Sequence, residues 1–417
     1  MAFALSDFSN ALHNILLPYI RDNFPKQTIL LDQLKRNSGV TFMNNKFYAP
    51  LRSTRHGGVT NLANDSSTTV SGTAGLSQAS VSVKIMSGAF DISKLAIDAT
   101  KSSKSAVENA LTFQAEALRS DFGRSANRQL YGDGSGIVCQ VLASGGSVGV
   151  GTIGVMPRDA NLDDGRSIDN YGTVNGDISP TKYLAPGNVI GIGTNANDKG
   201  TVSSTTGTSI VLTGAGTTAA NDAIFLLDGA ASGAGTMEFD GIREALSSTT
   251  GTYQYAGVAR STVGWTPQFG SVAEALTLSR LESSYLSAKE YGQMGDQYAI
   301  FMNKTLYKKY GDILTSLRRT VNETDLLGGW TGLEFAAGAG KVGVFLDYDV
   351  PDGEVLIINL DSWTITQVDD LSWLEDPNTN SMLRLANKIS YQATLVWFAN
   401  VLCLAPAANG RETQKTA

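Results

Sequence analysis

The sequence predicts an α+β fold in which helices and strands occupy separate parts of the chain. Residues 100–131 carry apolar side chains at helical spacing, and residues 79–93 alternate apolar and polar side chains as a half-buried strand does. Residues 137–240 are poor in charge and rich in Gly, Thr and Ser, which is typical of short strands joined by tight turns. Because helices and strands are segregated, the pattern indicates an α+β fold without βαβ alternation.

The composition allows a packed core and disfavours several classes of protein. The 417 residues are enough for about two to three domains. Hydrophobic residues make up 42% and charged residues 17%, which excludes global disorder. A net charge of −7 disfavours a protein whose affinity comes from coating nucleic acid with Lys and Arg. Cys139 and Cys403 show neither metal-ligand spacing nor a disulfide framework, which fits a reducing compartment.

The sequence of residues 3–37 predicts an N-terminal arm, which is interrupted by Pro18 and Pro25. Its apolar side chains give an amphipathic start: Phe3, Leu5, Phe8, Leu12, Ile15 and Leu16. We expect this surface to dock on another body, and packing on its own domain is the alternative. No basic region precedes an apolar run, so no secretory signal is expected. The apolar run 395–404 is too short to span a bilayer and predicts a buried strand, so no membrane partner is expected.

Residues 40–57 and 79–93 predict the two extended stretches of a long hairpin. Between them, Gly58–Gln78 is rich in Ser, Thr, Gly and Asn and has no power to form a core. A long exposed hairpin is prone to edge-to-edge pairing unless a neighbouring molecule covers it. The hairpin is therefore the first indication of an obligate assembly.

The segment Thr100–Tyr131 predicts one helix of roughly 40 Å, at about 1.5 Å per residue. Ser105 and Glu108 have the spacing of a capping box, with Ser102 and Ser103 as alternative caps. Four apolar residues share one stripe: Val107, Leu111, Leu118 and Phe122. Four charged residues lie off that stripe: Glu108, Glu116, Arg119 and Arg124. Gly132 and Gly134 are expected to end the helix.

The rest of the chain divides into a β-rich module and a mixed region. Residues 137–240 predict a compact all-β module inserted into its host domain. Two helices are expected, over Ser271–Tyr291 and Lys304–Leu317, and a mobile loop over Gly328–Gly343. Five strands are expected: Tyr298–Asn303, Val342–Leu346, Glu354–Asn359, Ser362–Val368 and Lys388–Leu404.

One motif imitates a catalytic nucleophile. Residues 145–149, GGSVG, match the pattern around the serine of an α/β-hydrolase, with Ser147 as nucleophile. In that fold the histidine follows the serine, whereas His13 and His56 both precede it. With 44 glycines a chance match is expected, so we predict no catalytic residue and no enzyme.

A second motif begins like a calcium loop at Asp159, Asn161 and Asp163. The sixth and twelfth positions of such a loop need Gly and Glu, and this chain has Asp164 and Asn170 there. A solvated turn is therefore favoured over a surface cation site.

Two glycine-rich stretches imitate phosphate-binding loops. Gly338–Lys341 resembles a P-loop, but Val342 stands where Ser or Thr is needed. Gly132–Gly136 precedes no helix, so it is interpreted as a helix stop. No metal and no cofactor is predicted.

The order of parts resembles the major capsid protein of tailed double-stranded-DNA phages, the Hong Kong phage-type fold. The resemblance covers residues 1–136 and 241–417. After the arm and the hairpin, four segments carry it: LYGDGSG, EFDGIREAL, YAIFMNKTLYKKYGDIL and VPDGEVLIINLDSW. Some members cross-link a loop lysine to a neighbour's asparagine; Lys84 lies in the corresponding region, and that role is not carried over to it.

The resemblance implies a division of the chain into an arm, an extended loop, a peripheral domain with a spine helix, an axial domain and an inserted β-domain. The expected bounds are 1–39 for the arm, 40–93 for the loop, 94–136, 241–265 and 356–417 for the peripheral domain, 137–240 for the insert and 266–355 for the axial domain.

The resemblance also implies the partners. Copies of the chain would form pentamers and hexamers that close into an icosahedral virion shell, assembled in the bacterial host cytoplasm and matured from a procapsid. A separate scaffolding protein and a portal would take part in assembly, a decoration or cement protein would bind the shell, and packaged double-stranded DNA would be enclosed without specific contacts.

Three alternatives to the phage shell protein are a nanocompartment shell, a β-rich adhesion or carbohydrate-binding protein, and an enzyme. The lack of a catalytic motif disfavours the enzyme. A cellular nanocompartment of the same fold would need a cargo-docking site, which the sequence does not reveal. A β-rich adhesion or carbohydrate-binding protein would place tryptophans in residues 137–240. All five lie outside it and are expected to be core and interface anchors: Trp265, Trp330, Trp363, Trp373 and Trp397.

Overall fold

The computed structural model of the chain describes most of the sequence. The described residues are 29–37, 39–59, 61–62, 64, 71–94, 104–142, 151–157, 181, 183–193, 199–215, 218, 222–226, 238–247, 254–262, 264–292, 295–316, 323–326, 330–337, 340–351, 353–375, 382–386 and 388–416.

Helices and strands are numbered along the chain. The helices are α1 (Ile29–Gln33), α2 (Lys104–Leu130), α3 (Ile242–Ala245), α4 (Leu278–Lys289) and α5 (Lys304–Ser316). The first strands are β1 (Lys35–Arg36), β2 (Thr41–Met43), β3 (Lys46–Arg52), β4 (Leu76–Ser82), β5 (Lys84–Ser93), β6 (Ile137–Val141), β7 (Gly151–Pro157), β8 (Val189–Ile192), β9 (Lys199–Thr205), β10 (Ser209–Ala215) and β11 (Ala223–Leu226). The later strands are β12 (Gln254–Tyr255), β13 (Val258–Ala259), β14 (Gln268–Gly270), β15 (Glu274–Ala275), β16 (Tyr298–Met302), β17 (Glu323–Leu326), β18 (Trp330–Ala337), β19 (Gly340–Leu346), β20 (Val355–Asn359), β21 (Trp363–Gln367), β22 (Ser372–Trp373), β23 (Met382–Arg384), β24 (Ser390–Cys403), β25 (Gly410–Glu412) and β26 (Lys415–Thr416).

Strand β24 is the centre of a six-stranded sheet. One side of β24 pairs antiparallel with β5, and its other side pairs in turn with β21, β22 and β23. β1 adds in parallel to β21. The apolar run 395–404 is thus a buried strand, as the sequence predicts.

Helix α2 covers one face of this sheet. Phe122 is buried in the main hydrophobic cluster together with Phe90 and Trp397. A Cβ on Gly88 would lie 2.8 Å from Cδ1 of Leu118, so the absence of a side chain lets the helix approach β5 closely. The helix runs from Lys104 to Leu130, so Ser105 lies inside it and is not its cap.

The burial of α2 differs from the predicted stripe at one charged position. Arg119 is buried, although the helical period places it off the apolar stripe, while Glu116 and Arg124 are exposed as expected. From Ala126 to Leu130 every residue is buried, so the last turn is enclosed on all sides. The side chains of Val107 and Leu111 lie outside the described residues.

The predicted hairpin is shorter than the sequence suggests. β3 and β4 pair antiparallel, and β2 adds a third strand beside β3. One face of this small sheet packs on the main cluster through Phe47, Ala49 and Val81. After Val83 the chain leaves the hairpin and enters the six-stranded sheet as β5, so residues 84–93 are not part of the hairpin.

The end of the predicted arm packs on its own chain. Leu30, Leu31 and Leu34 are buried in the main cluster, and β1 extends the six-stranded sheet. For residues 29–37 the alternative, packing on the arm's own domain, is therefore correct. The amphipathic segment 3–16 lies outside the described residues.

A second, seven-stranded sheet has the order β14-β25-β20-β16-β19-β18-β17. Helices α4 and α5 pack on it through a cluster that includes Tyr285, Leu306 and Tyr310. β16 and β19 are parallel, with α5 and the hairpin β17–β18 between them. This connection is a crossover between parallel strands, in a chain whose described helices and strands do not alternate regularly.

Two local predictions in this region are also wrong. Gly328–Gly343 is not a loop, because β18 and β19 pair antiparallel within it. Helix α4 begins only at Leu278, since Glu274 and Ala275 form β15 and pair with the C-terminal β26. On α5, Leu314 is buried and Ile313 is half-buried.

Residues between 137 and 226 form a closed barrel of order β10-β7-β6-β11-β8-β9. Its interior is filled by aliphatic side chains such as Ile153, Ile190 and Leu212, together with Cys139. The barrel is therefore a packed body rather than an open channel. The sequence signal of short strands between glycine-rich turns predicts this β-structure correctly.

Four of the tryptophans act as core anchors: Trp265, Trp363, Trp373 and Trp397 are all buried. The side chain of Trp330 is outside the described residues.

Gly241 is the tightest point between the barrel exit and α2. A Cβ there would lie 2.5 Å from the carbonyl oxygens of Gln129 and Gly132 and 2.6 Å from that of Leu130. These are backbone atoms that cannot rotate away.

We expect Gly241→Ala to lower the free energy of unfolding by about 2 kcal/mol, because the added methyl must displace the end of α2. Denaturant titration followed by tryptophan fluorescence measures this. Gly311→Ala is the control, since nothing lies within 4 Å of its added Cβ and alanine favours helix. Equal stability of the two variants would contradict the packing argument.

Candidate assembly site

Only some of the positions that the sequence marks for chemistry lie among the described residues. Ser147, residues 159–163 and His13 lie outside the described residues. His56 is exposed, and its Nδ1 accepts a hydrogen bond of 3.1 Å from the backbone N–H of Gly58. Lys341 is exposed within a strand, so no phosphate loop forms around it.

The stretch after α2 is a turn, as the sequence predicts. Gly134 and Gly136 have φ angles of +76° and +74°, which side chains other than glycine rarely adopt. Asp133 Oδ1 accepts a 2.9 Å hydrogen bond from the Ser135 N–H and fixes the turn. This turn connects α2 to the barrel strand β6.

The described residues offer no metal or thiol chemistry. Among them, no three or more His, Cys, Asp or Glu side chains converge to hold a metal ion. Burial raises the pKa of the Cys139 thiol, and that of Cys403, to about 12. Both thiols are therefore protonated and unreactive at neutral pH. None of the described helices has the length and apolar character needed to cross a bilayer.

Lys84 takes part in a partly buried polar cluster. Its Nζ lies 3.6 Å from Asp240 Oδ1, and Asn400 Nδ2 donates to Asp240 Oδ2 at 2.9 Å. Asn400 also donates to the carbonyl of Ser82 at 2.6 Å. These contacts tie the base of the hairpin to β24 and to the chain leaving the barrel, so within one chain Lys84 has a positioning role.

A buried polar junction joins α2, the barrel and the seven-stranded sheet. Arg128 donates from both terminal guanidinium nitrogens to Glu238, one of these bonds being 3.1 Å, and lies 5.7 Å from the ring centroid of Tyr183. Tyr183 donates to Asp349 Oδ1 at 2.8 Å. The barrel is thus held to the body by a salt bridge and a phenol.

Asp347 is the most enclosed carboxylate of the junction. It accepts hydrogen bonds from Tyr131 Oη at 3.0 Å and from the Asp349 N–H at 2.9 Å. Asn127 Nδ2 lies 3.4 Å from both of its oxygens and 2.7 Å from Asp349 Oδ2. One amide therefore bridges two carboxylates.

The electrostatics of the junction follow from burial. Burial, aided by the charge of Asp349, raises the pKa of Asp347 although the Asp349 N–H opposes it. Burial also raises the pKa of the Tyr131 and Tyr183 phenols, so both remain donors. For Arg128, burial lowers the pKa, but the Glu238 carboxylate outweighs it and the net shift is upward. The junction brings together residues 127–131, 183, 238 and 347–349, which are far apart in the sequence, and this is why sequence reasoning missed it.

A second buried charge cluster holds the C-terminal strand. Arg411 donates to both oxygens of Glu354 at 3.0 and 2.8 Å, and Arg243 lies 3.3 Å from the same carboxylate. Lys415 is fully buried and pairs with Glu274 at 2.9 Å. Arginine forks of this kind fix orientation as well as charge balance.

The hairpin presents an exposed basic and apolar face. Met43 and Leu76 are 56% and 82% exposed, and Arg52 and Arg55 are exposed beside them. Between residues 38 and 82 the sequence has Lys46, Arg52 and Arg55 against the single acid Asp65. In an acidic chain, this concentration of one sign marks a surface suited to an acidic partner.

Comparison with solved structures identifies the fold. A chain of the cyanophage A-1(L) capsid asymmetric unit matches with a TM-score of 0.54 and 13% identity, covering 94% of each chain. A chain of the native GTA particle capsid gives a TM-score of 0.41 at 11% identity, and the virus-like particle of Pyrococcus furiosus gives 0.40 at 10%. These two cover 94% and 96% of this chain and 91% and 98% of theirs. No protein-family model and no curated protein sequence matches. The chain therefore has the fold of the cyanophage capsid chain.

We expect Asp347→Asn to change how stability depends on pH. The raised pKa means that the native state binds the proton more tightly, so the contribution of Asp347 is present below the unfolded pKa of about 3.9 and is lost as pH rises through the native pKa. The stability of the parent relative to the variant should thus fall between acid and neutral pH, as measured by denaturant titration. Asp369→Asn removes an exposed carboxyl and controls for net charge. A constant difference at all pH values would contradict the expectation.

Proposed function

We propose that this chain is a structural shell protein that self-assembles through pentamers and hexamers into an icosahedral phage head enclosing double-stranded DNA. The observation that carries the proposal is the fold match to the cyanophage capsid chain over 94% of both chains. The role is structural rather than catalytic, as it is for the capsid chain that this fold matches.

The single chain leaves apolar surface uncovered, which supports assembly. Leu76, Ile85 and Met43 are among its most exposed large side chains, and all three lie in strands. Soluble monomers rarely expose large apolar patches to water. Contacts between unlike surfaces of successive copies would bury such residues, and contacts of this kind can close into rings. Many modest contacts of this kind add up in a shell.

We assign the parts of the chain by shared sheets and cores. The peripheral domain consists of the six-stranded sheet with α2, and the extended loop ends at residue 82 rather than 93. The axial domain is the seven-stranded sheet, so it takes 355–359 and 410–416 in addition to most of 266–355. The barrel is the inserted domain.

The proposed partners are those that a subunit of a phage head would contact. They are further copies of this chain, a separate scaffolding protein and a portal during assembly, and a decoration or cement protein on the shell. Packaged DNA would face the acidic chain without specific contacts. The location is the virion, assembled in the bacterial host cytoplasm.

Electron microscopy of the purified full-length protein tests the proposal. Shells, rings or sheets of repeating units are the expected result, and dispersed monomers at high concentration would overturn it. A shell that contains protein cargo and no nucleic acid when purified from infected cells would point instead to a nanocompartment.

The tip of the hairpin can be removed without touching the core. Gly58 and Gly72 lie next to each other, since a Cβ on Gly58 would be 2.8 Å from the Gly72 N. Deleting residues 59–71 therefore joins two glycines across a short gap. We expect a soluble subunit with unchanged unfolding midpoint that no longer forms stable shells, because the contacts of the tip are lost. Normal shells by microscopy would show that the tip is dispensable.

The barrel can be removed in the same way. A Cβ on Gly136 would lie 3.6 Å from the side chain of Glu238, so the chain enters and leaves the barrel at one place. We expect a chain lacking residues 137–237 to keep one cooperative unfolding transition, with a loss of about 1–3 kcal/mol from the removed phenol and its hydrogen bond to Asp349. Loss of all cooperativity in calorimetry would show that the barrel is part of the host core.

A further inference from the structure

The barrel has a hydrophobic core of its own, separate from that of the body, by which we mean the two large sheets with their helices. The barrel interior is an aliphatic cluster that includes Ile190 and Leu212, and neither residue belongs to the clusters that hold the body together. Tyr183 is half-buried and packs against the barrel cluster. Barrel and body can therefore change their relative position without opening either core.

The chain enters and leaves the barrel at one place, which has the geometry of a hinge. Gly134 and Gly136 come just before β6 and have φ angles of +76° and +74°. Glu238, on the chain that leaves the barrel, lies beside Gly136 and pairs with Arg128 at the end of α2. Because both connections pass through the same point, they fix where the barrel is attached but not how it is rotated.

Tyr183 supplies a contact that fixes this rotation. Its hydroxyl donates to Asp349 Oδ1 at 2.8 Å, and Asp349 lies in the turn after β19 of the seven-stranded sheet. The bond thus joins two bodies whose cores are separate. A hydrogen bond to a carboxylate is stronger than one between neutral groups, yet a single bond of this kind opens reversibly.

The body holds the acceptor ready. Val350, the next residue after Asp349, is buried in the main cluster. From α2, Asn127 Nδ2 donates to Asp349 Oδ2 at 2.7 Å, and Tyr131 Oη donates to the neighbouring Asp347 at 3.0 Å. The docking point is therefore preformed on the body, and the barrel is the part that moves.

The charge of the junction makes the phenol important for docking. Asp347 and Asp349 share the amide of Asn127, and two carboxylates this close repel each other. A barrel that packs against this pair without the Tyr183 hydroxyl would cover a carboxylate that has lost a hydrogen bond, which is costly. An undocked barrel avoids that cost, because water then takes the place of the phenol.

We infer that the Tyr183–Asp349 hydrogen bond is a conformational latch, which holds the barrel docked on the body and lets it turn about the Gly134–Gly136 hinge when the bond opens. Both cores stay folded in either position. This device goes beyond the proposed function, since it is a property of the single chain. A partner that binds the barrel in one of its two positions shifts the equilibrium by its difference in affinity for them.

Distances between two spin labels test the latch directly. Val189→Cys places one label on the barrel and Val272→Cys places the other on the body, and both positions are exposed. The native thiols are buried, so only the new cysteines are labelled. The full-length chain should give one narrow distance distribution, and Tyr183→Phe should add a second population at other distances. An unchanged narrow distribution in Tyr183→Phe would overturn the latch.

The labelled chain is kept below the concentration at which it assembles, so the result does not depend on shells. A chain that never assembles would overturn the proposed function and leave the latch standing. A chain that assembles while Tyr183→Phe keeps the narrow distribution would do the reverse.

Hydrogen exchange separates loss of docking from loss of folding. In Tyr183→Phe, the amides of residues 133–137 and 346–350 should exchange about tenfold faster, as expected when a hydrogen bond to a charged group is lost. The barrel strands β6–β11 should exchange as they do in the parent. Faster exchange throughout these strands would mean that Tyr183 stabilises the barrel itself, and the latch would be wrong.

A matched control and a double substitution complete the test. Tyr391→Phe removes the hydroxyl of another half-buried tyrosine, in β24, and should leave both the distances and the exchange rates unchanged. In a chain that already carries Asp349→Ala, Tyr183→Phe should have no further effect on the distances, because both substitutions remove the same bond. A further effect as large as the one in the parent would show that Tyr183 holds the barrel through a different contact, against the inference.

Discussion

The pairing of β24 with β5 is the constraint on which the rest of the structure depends. Ten consecutive residues of β5 are in register with β24, and the other edge of β24 is occupied by three short strands in succession. Register on a two-sided sheet is strict, because a slip of one residue would exchange its two faces. The register therefore decides which side chains face α2 and which point to the opposite side of the sheet.

Two parts leave the body close to this pair. The hairpin leaves from the start of β5, and the barrel leaves from the turn that follows α2. The polar cluster of Lys84, Asp240 and Asn400 lies where the first and the last of these exits meet β24. A partly buried cluster of this kind adds little to the free energy of unfolding, because the cost of removing its charges from water is about as large as the energy gained by pairing them. We interpret it as a device that fixes the directions of the exits.

The sequence predicted those elements whose signal is local. The long helix, the barrel strands and the buried run near the C-terminus all have a clear period or clear turn residues. The point where the chain changes sheets at Val83 left no such signal, since the strand period continues unbroken from Val81 to Ile85. The hairpin β18–β19 was missed because its glycines resemble a loop, although cross-strand pairing stabilises it.

The polar junction and the C-terminal strand were beyond prediction for a different reason. Tyr183 and Asp349 are 166 residues apart, and Glu354 and Arg411 are 57 apart, so no window of sequence contains both partners. Arg119 follows the same rule, since its burial depends on neighbours and not on its place in the helical period.

The two faces of this sheet differ among the described residues. The inner face closes around α2 and makes the fold, whereas Ile85, Leu374 and Val368 on the opposite face are exposed. The same strands carry both faces, so in the proposed shell a load applied to such residues would reach the core through backbone hydrogen bonds and not through a flexible loop. Such a coupling also means that assembly and stability of the subunit are linked: any partner that binds the native face and not the unfolded chain raises the free energy of unfolding by mass action. A shell built in this way should be more stable than its isolated subunits, even though the net contribution of each separate contact is small.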